Sequence, residues 1–325
     1  MDYDPKNTTA RVREWKYLTG RDFAEMDRAN TVAVVSCSPL EVHGPHLPTI
    51  TDNQEAEGLT LRIMEILCER YAEIQFVHLP PVYVACDVLP HPGSVMFRPS
   101  TCRAVVQDMG RSLVRQGFRH IWMGSFHGGP RHFLGMEAAA DHVNRKYGGK
   151  MVSVFSTMIA RLTDGDSDLS DVLCTIEGLD RDALDGDTHG GVVETSLMLY
   201  LLGKYVDPGY AELPQMTLGR RLAARGERPL STSSLKEVFR GFREKLFYYL
   251  EDTYSGMPSA ASAEIGKDAI DKLATLAADA MGDVWEGKLD PNDCHSPLWS
   301  KRWLFTMPAL GWAFERAVGY KNPIF

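Results

Sequence analysis

TVAVVSCS, Thr31–Ser38, is an unbroken run rich in β-branched residues. A run apolar on both faces suits a strand buried above and below, as in a parallel sheet covered by helices. Outward from it, NQEAEGLTLRIMEILCERY spaces Leu59, Ile63, Ile66 and Leu67 along one face of a helix. IQFVHLPPVYV (74–84) predicts a second strand region, stopped by prolines. STCRAVVQDMGRSLVRQG predicts a helix, with Ser100 or Thr101 as N-cap and Gly117 just past its end. FRHIWMGSFHGG gives a third strand at Ile121–Gly124 and a His-Gly-Gly turn. RHFLGMEAAADHVNRKYGG comes next as a helix and KMVSVFSTMIA as a strand. Strand, loop and helix therefore alternate, the order of an α/β protein with a parallel sheet and helices on both faces. Ligands in such folds sit at the carboxyl ends of the strands. The polar loops at 41–52 and 125–130 both lie there.

The remainder reads less regularly. Residues 164–187 turn acidic and predict a surface insertion. Thr188–Val206 begins with a glycine turn and becomes an apolar helix, 211–234 reads as loop, and SLKEVFRGFREKLFYYLEDTY as a helix of alternating charge. SAASAEIGKDAIDKLATLAADAMGDVWEG predicts a long final helix. An aromatic-rich extension, 290–325, lies beyond it. Residues 1–325 are expected to form one domain carrying that insertion and that extension.

Composition narrows the function. A net charge of −8 argues against a nucleic-acid partner, which needs a basic face. No apolar run approaches the roughly 18–20 residues of a membrane span, and the polar N-terminal stretch lacks a signal peptide's apolar core. The six cysteines form no CxxC pair, so a reduced cytoplasm is the implied compartment and a structural zinc knuckle is not expected.

The chemistry concentrates in EVHGPHLPTITD, Glu41–Asp52. Glu41 and His43, two apart in extended chain, project to the same face. Carboxylate plus imidazole suits Zn²⁺, Mn²⁺ or Fe²⁺, and Asp52 could return across the loop to bridge two ions. The same residues would also suit a polar loop facing water. His127, at the end of a buried strand before Gly128 and Gly129, favours the metal. The His-Gly-Gly pattern recurs at His189–Gly191, with His189 five residues before Glu194 at a helix start, where the dipole favours a carboxylate. His46 reads as an orienting partner of a ligand, and His91 as a residue of the same cleft. His78, His120, His132, His142 and His295 read as structural or surface groups. Cys37 has no histidine at a nucleophile's spacing, which leaves a cysteine hydrolase a weak alternative. GxSxG, GxGxxG and Walker patterns are absent from the chain.

The sequence resembles the creatininase (creatinine amidohydrolase) family in five blocks in order: EVHGPHLPTITD, PGSVMF, GFRHIWMGSFHGG, HGGVVETSLML and MPSAASAEIGKDAI. The resemblance implies a three-layer α/β/α sandwich with a mainly parallel sheet and a homo-oligomer, commonly a hexamer. It also implies two divalent ions, Zn or Mn with Fe possible, that serve hydrolysis of a small cyclic substrate by hydroxide attack on a carbonyl. By that likeness Glu41, His43, Asp52 and His127 match metal ligands, with Asp52 as the bridge. Glu194 is expected to replace a family glutamate whose position here is Gly129, and His189 matches a catalytic histidine. Asp87, His91, His46, Gly128 and Gly129 are expected near the substrate. Substituted pocket positions leave two alternatives: a C–C hydrolase of a cyclic diketone such as a keto-inositol of the 3-dehydro-scyllo-inosose type, or an inactive metabolite-binding relative.

Overall fold

In the computed structural model, which describes residues 11–163, 169–231 and 233–325, five parallel strands pair in the order β1-β3-β2-β4-β5. They are β1 (Val12–Glu14), β2 (Thr31–Ser36), β3 (Gln75–His78), β4 (His120–Gly124) and β5 (Lys150–Ser153). Every residue of β2 and β4 is buried, as the unbroken apolar runs required.

Side-chain alternation sorts the core into two halves. Val32, Val34, Phe76, Trp122 and Val152 point to one face. There they meet α2 (Thr51–Arg70), α5 (Val154–Thr163), α7 (Val192–Leu202) and α10 (Ala263–Trp285). Ala33, Val35, Val77, Ile121, Met123 and Met151 point to the other, against α3 (Pro99–Arg115) and α4 (Pro130–Tyr147), with Phe23 of the short α1 (Gly20–Glu25) at the margin. The result is the three-layer α/β/α sandwich. Among the described residues no helix is long and apolar enough to cross a membrane.

Several local expectations are corrected. β1 was not anticipated, because three residues carry no readable alternation. It gains order by pairing Val12, Arg13 and Glu14 with Phe76, Val77 and His78. α3 opens on Pro99 after Arg98, one residue before the expected caps, since proline is favoured in the first helical turn. KMVSVFSTMIA is a strand only to Ser153, whose hydroxyl then accepts from Ser156 N at 3.4 Å as α5 begins. The 211–234 stretch contains α8 (Leu218–Ala224), capped by Thr217, whose hydroxyl accepts from Arg220 N at 3.1 Å. Next in the chain is α9 (Leu235–Glu251). α10 is not the last helix, because α11 (Arg302–Thr306) and α12 (Pro308–Val318) lie in the aromatic tail.

Part of the expected insertion, 164–168, falls outside the described residues. The rest of it, including α6 (Leu169–Leu173), is not purely surface: Leu173, Ile176, Leu179, Ala183 and Leu184 are buried in the main core. The acids that suggested a surface segment are interleaved with these apolar positions.

Candidate active site

Loop 41–52 leaves the carboxyl end of β2 and is folded back on itself by local pairing. Glu41 N donates to Thr49 O at 2.9 Å, and His43 pairs with Leu47. Asp52 then lies in the first turn of α2, Glu194 in the first turn of α7, and His127 just beyond β4. The His-Gly-Gly turn brings His189 alongside: Gly190 adopts φ 58°, and a Cβ there would stand 3.2 Å from the carbonyl carbon of His43.

These residues converge in two groups that share Asp52. His127 Nδ1 lies 3.1 Å from Glu41 Oε2 and 3.4 Å from Asp52 Oδ1. His43 Nε2 lies 3.4 Å from Asp52 Oδ2 and 3.7 Å from Glu194 Oε2. The ring of His189 stacks on that of His43, centroids 4.0 Å apart. By donor-atom spacing the groups among the described residues able to hold a cation are Glu41, His43 and His189, and Glu41, Asp52 and His127; these two share Glu41, whereas the ion-pair distances share Asp52.

Backbone carbonyls select the tautomers. His43 Nδ1–H donates to Glu41 O at 3.0 Å, His127 Nε2–H to Cys86 O at 3.0 Å, and His189 Nε2–H to Val42 O at 2.8 Å. In the neutral rings the remaining nitrogen of His43 and of His127 thus turns a lone pair toward carboxylate oxygens. Lone pair facing carboxylate is repulsive unless a proton or a cation intervenes. Glu41 Oε2, His43 Nε2 and Asp52 Oδ2 are buried without a hydrogen-bond partner, an arrangement that fits a bound cation. The donors are oxygen and nitrogen without thiolate, a set suited to Zn, Mn or Fe.

The electrostatics agree. Burial, with the nearby Asp52 charge, pushes the Glu194 carboxyl well above the usual range, and burial raises Asp52. Burial also disfavours a charged Glu41, but the neighbouring His127 outweighs it and holds that carboxyl down to about 2. His127 is itself raised well above the usual imidazole value: burial opposes its charge, and Glu41 and Asp52 overcome it. Burial and the adjacent His189 push His43 down to about 4.

The other residues expected at the site have varied roles. His46 is buried, its Nε2 2.8 Å from Thr195 Oγ1, tying the loop to α7. Gly128 is exposed with open space beside it. Gly129 has no room for a side chain: a Cβ would lie 2.6 Å from both His127 Nε2 and Asp87 Cβ. The Asp87 carboxylate is taken by Arg131, whose backbone N–H it accepts at 2.6 Å. His91 Nε2–H donates to Tyr249 O at 2.8 Å. Asp87 and His91, expected near the substrate, each hold a protein partner. Cys37 is buried, which pushes its thiol up to about 12 and disfavours the thiolate that a nucleophile needs. His132, expected to be structural, is buried edge-on to His127, centroids 5.3 Å apart.

Three groups were not legible in the sequence. Glu55, one turn after Asp52 on α2, is buried with both oxygens unpartnered, and its i+3 spacing from Asp52 was the available signal. Asp187 caps α7, accepting from Val192 N at 2.8 Å and Val193 N at 3.1 Å. Tyr249 of α9 sets its ring edge-on to His189, 6.0 Å between centroids. No local pattern marks it.

A family model described as creatininase, creatinine amidohydrolase, matches residues 16–281. Among solved structures, a putative creatinine amidohydrolase from Bacteroides fragilis NCTC 9343 is similar at 18% identity and TM-score 0.59, over 86% of this chain and 98% of that one. A structure titled creatininase Mn is similar at 20% identity and TM-score 0.57, over 84% and 98%. A creatininase variant complexed with creatine is similar at 20% identity and TM-score 0.58, over 84% and 99%. No curated protein matches the chain significantly.

Proposed function

The chain belongs to the creatininase family, and from that premise we propose that it is a metal-dependent hydrolase opening the amide C–N bond of a small cyclic substrate. The observation that carries the reading is the division of Asp52, one oxygen toward the His127 and Glu41 group and the other toward His43 and Glu194. A carboxylate so divided suits a bridge between two ions, with Glu194 in place of the glutamate that Gly129 cannot supply. Zn or Mn held there supplies Lewis-acid polarisation of a carbonyl and lowers the pKa of water from 15.7 towards about 7.

The chain's own residues do the rest. His189 also lies in a group able to hold a cation, but here it is given the proton-transfer role: Nε2–H is committed to Val42 O, and Nδ1 takes a proton and returns it to the leaving nitrogen. His46, His91 and Asp87 position the loops around the reacting atoms. Gly128 and Gly129 let the substrate approach the backbone. A homo-oligomer completes the proposal, since large apolar side chains of the C-terminal helices stand exposed.

The test separates ligand from acid–base. His43→Ala is expected to lose bound metal by elemental analysis, whereas His189→Ala keeps it and loses about 10²–10⁴ in turnover of cyclic amides. Normal turnover by His189→Ala, or full activity in chelator-stripped protein, contradicts the proposal.

A further inference from the structure

The C-terminal half of α4 walls a second cavity, of about 370 Å³, which no residue of the candidate active site lines. Asp141, His142, Arg145 and Lys146 fall at i, i+1, i+4 and i+5 and so share one side of the helix. Arg103 of α3 forms a second wall, and Trp299 and Arg302, where the C-terminal extension crosses α4, form a third. Four cationic side chains and one carboxylate thus surround a space within the usual range for small-molecule sites. This is a local reversal of sign on a chain whose net charge is −8.

Two of the guanidiniums are fixed along one edge and open on another. Arg145 Nε donates to Asp141 Oδ1 at 2.6 Å, which neutralises the one acid of the lining and leaves both Nη atoms for another acceptor. Arg302 Cζ lies 4.0 Å from the centroid of the Trp299 ring, and Nη1 donates to Trp299 O at 3.0 Å. Trp299 is stacked in turn on His295, centroids 3.8 Å apart, so the plane beneath Arg302 is itself held. Among the described residues no carboxylate forms an ion pair with Arg103, Lys146 or Arg302. Lys146 lies over the Tyr147 ring at 5.6 Å, and Arg111 and Arg115 approach that ring at 5.8 and 6.0 Å, which extends the positive field along α3. Any one of these cations is an ordinary surface group. Their convergence on one concavity, with guanidinium planes already set, focuses the field there and favours an anion.

The shape of the donor set separates two kinds of anion. A carboxylate offers two oxygens in one plane, enough for a single guanidinium fork. A phosphate monoester offers three terminal oxygens and a charge of about −1.5 to −2, and can accept from forks on different walls at once. We propose that this cavity binds a phosphorylated small molecule, its phosphate held by Arg103, Arg145 and Arg302 with Lys146 beside them. The site is independent of the hydrolase reading.

The test measures binding of inorganic phosphate, fructose 1,6-bisphosphate, fructose and tricarballylate to the full chain by calorimetry at low ionic strength. Both phosphate compounds are expected to bind, more weakly as salt is added, and fructose not to bind. Tricarballylate, a polyanion without phosphate, should bind at least about tenfold more weakly than the bisphosphate. Arg103 is exposed and has no ion pair to lose, so Arg103→Gln should keep metal content and thermal midpoint while weakening the bisphosphate roughly ten- to a hundredfold. Arg302→Lys, which keeps the charge and loses the fork, should weaken it by about tenfold. Absence of binding by both phosphate compounds overturns the site. Binding that Arg103→Gln and Arg302→Lys both leave unchanged places the phosphate elsewhere and overturns it as well. Equal affinity for tricarballylate overturns the phosphate assignment.

Discussion

At the scale of single residues the site depends on what cannot be larger as much as on what ligates. Gly129 lies two positions after His127, and a methyl group on it would press on both the His127 ring and Asp87, with Cys86 O only 3.2 Å away. The contact atoms are a short side chain, a fixed ring and backbone, so relief must come from moving His127. That ring is held by Cys86 O on one side and faces Glu41 and Asp52 on the other. Gly129→Ala is therefore expected to weaken metal retention about 10–100-fold, the usual effect of disturbing the groups that orient a ligand. Competition with a chromogenic chelator measures it, and unchanged retention would show that His127 tolerates displacement. The side chains that converge at the candidate site were legible in the sequence because Glu41, His43 and Asp52 are near neighbours and His127 closes an obvious strand. The carbonyls of Glu41, Val42 and Cys86 were not, because a backbone oxygen has no signature in residue type. Tyr249 escaped for another reason: over fifty positions separate it from His189, and only tertiary packing joins them.

Among the elements, β2 and β4 were legible as uniform apolar runs, whereas β1 is defined by its partners. Its last residue, Glu14, is in register with His78 of β3, and His78 lies between two acids. Nδ1 is 3.1 Å from Glu14 Oε1 and Nε2 is 3.3 Å from Glu57 Oε1 on α2. Burial disfavours the imidazolium, but the hydrogen bonds to Glu14 and Glu57 prevail and raise His78 to about 9. A folded value above the unfolded value of about 6.5 stabilises the fold fully below pH ~6.5, and that contribution disappears as pH rises through about 9. Its size is at most about 3 kcal/mol. The thermal midpoint should fall by several degrees between pH 6.5 and 9.5. His78→Gln should start lower at pH 6.5 and lose less over the same range. Equal slopes for the two proteins would remove His78 as the source.

For the whole molecule, the C-terminal extension connects surfaces that the sandwich alone leaves apart. Arg131, at the start of α4, holds Asp87 and reaches Glu315 of α12 at 3.2 Å. Phe314 packs against Phe239 and Phe242 of α9, with centroids 5.4 and 5.9 Å away. The extension thus braces both the His127 loop and the helix carrying Tyr249. On the same extension Trp303 is 54% exposed and Trp312 63%, and Leu304, Met307 and Leu310, which lie between them in sequence, are exposed as well. Isolated apolar residues on a surface need no explanation, but five within ten positions, two of them tryptophans, suit the core of a subunit interface. If a second copy covers it, light scattering at micromolar concentration should give a multiple of the chain mass. Trp303→Asp with Trp312→Asp should then return a monomer, because burying two carboxylates against an apolar partner costs several kcal/mol. Bound zinc should persist in that variant, since every proposed ligand lies between Glu41 and Glu194. A natural chain that is already monomeric would remove the interface, and loss of zinc on dissociation would show that assembly, beyond the bracing by α12, is needed to hold the site together.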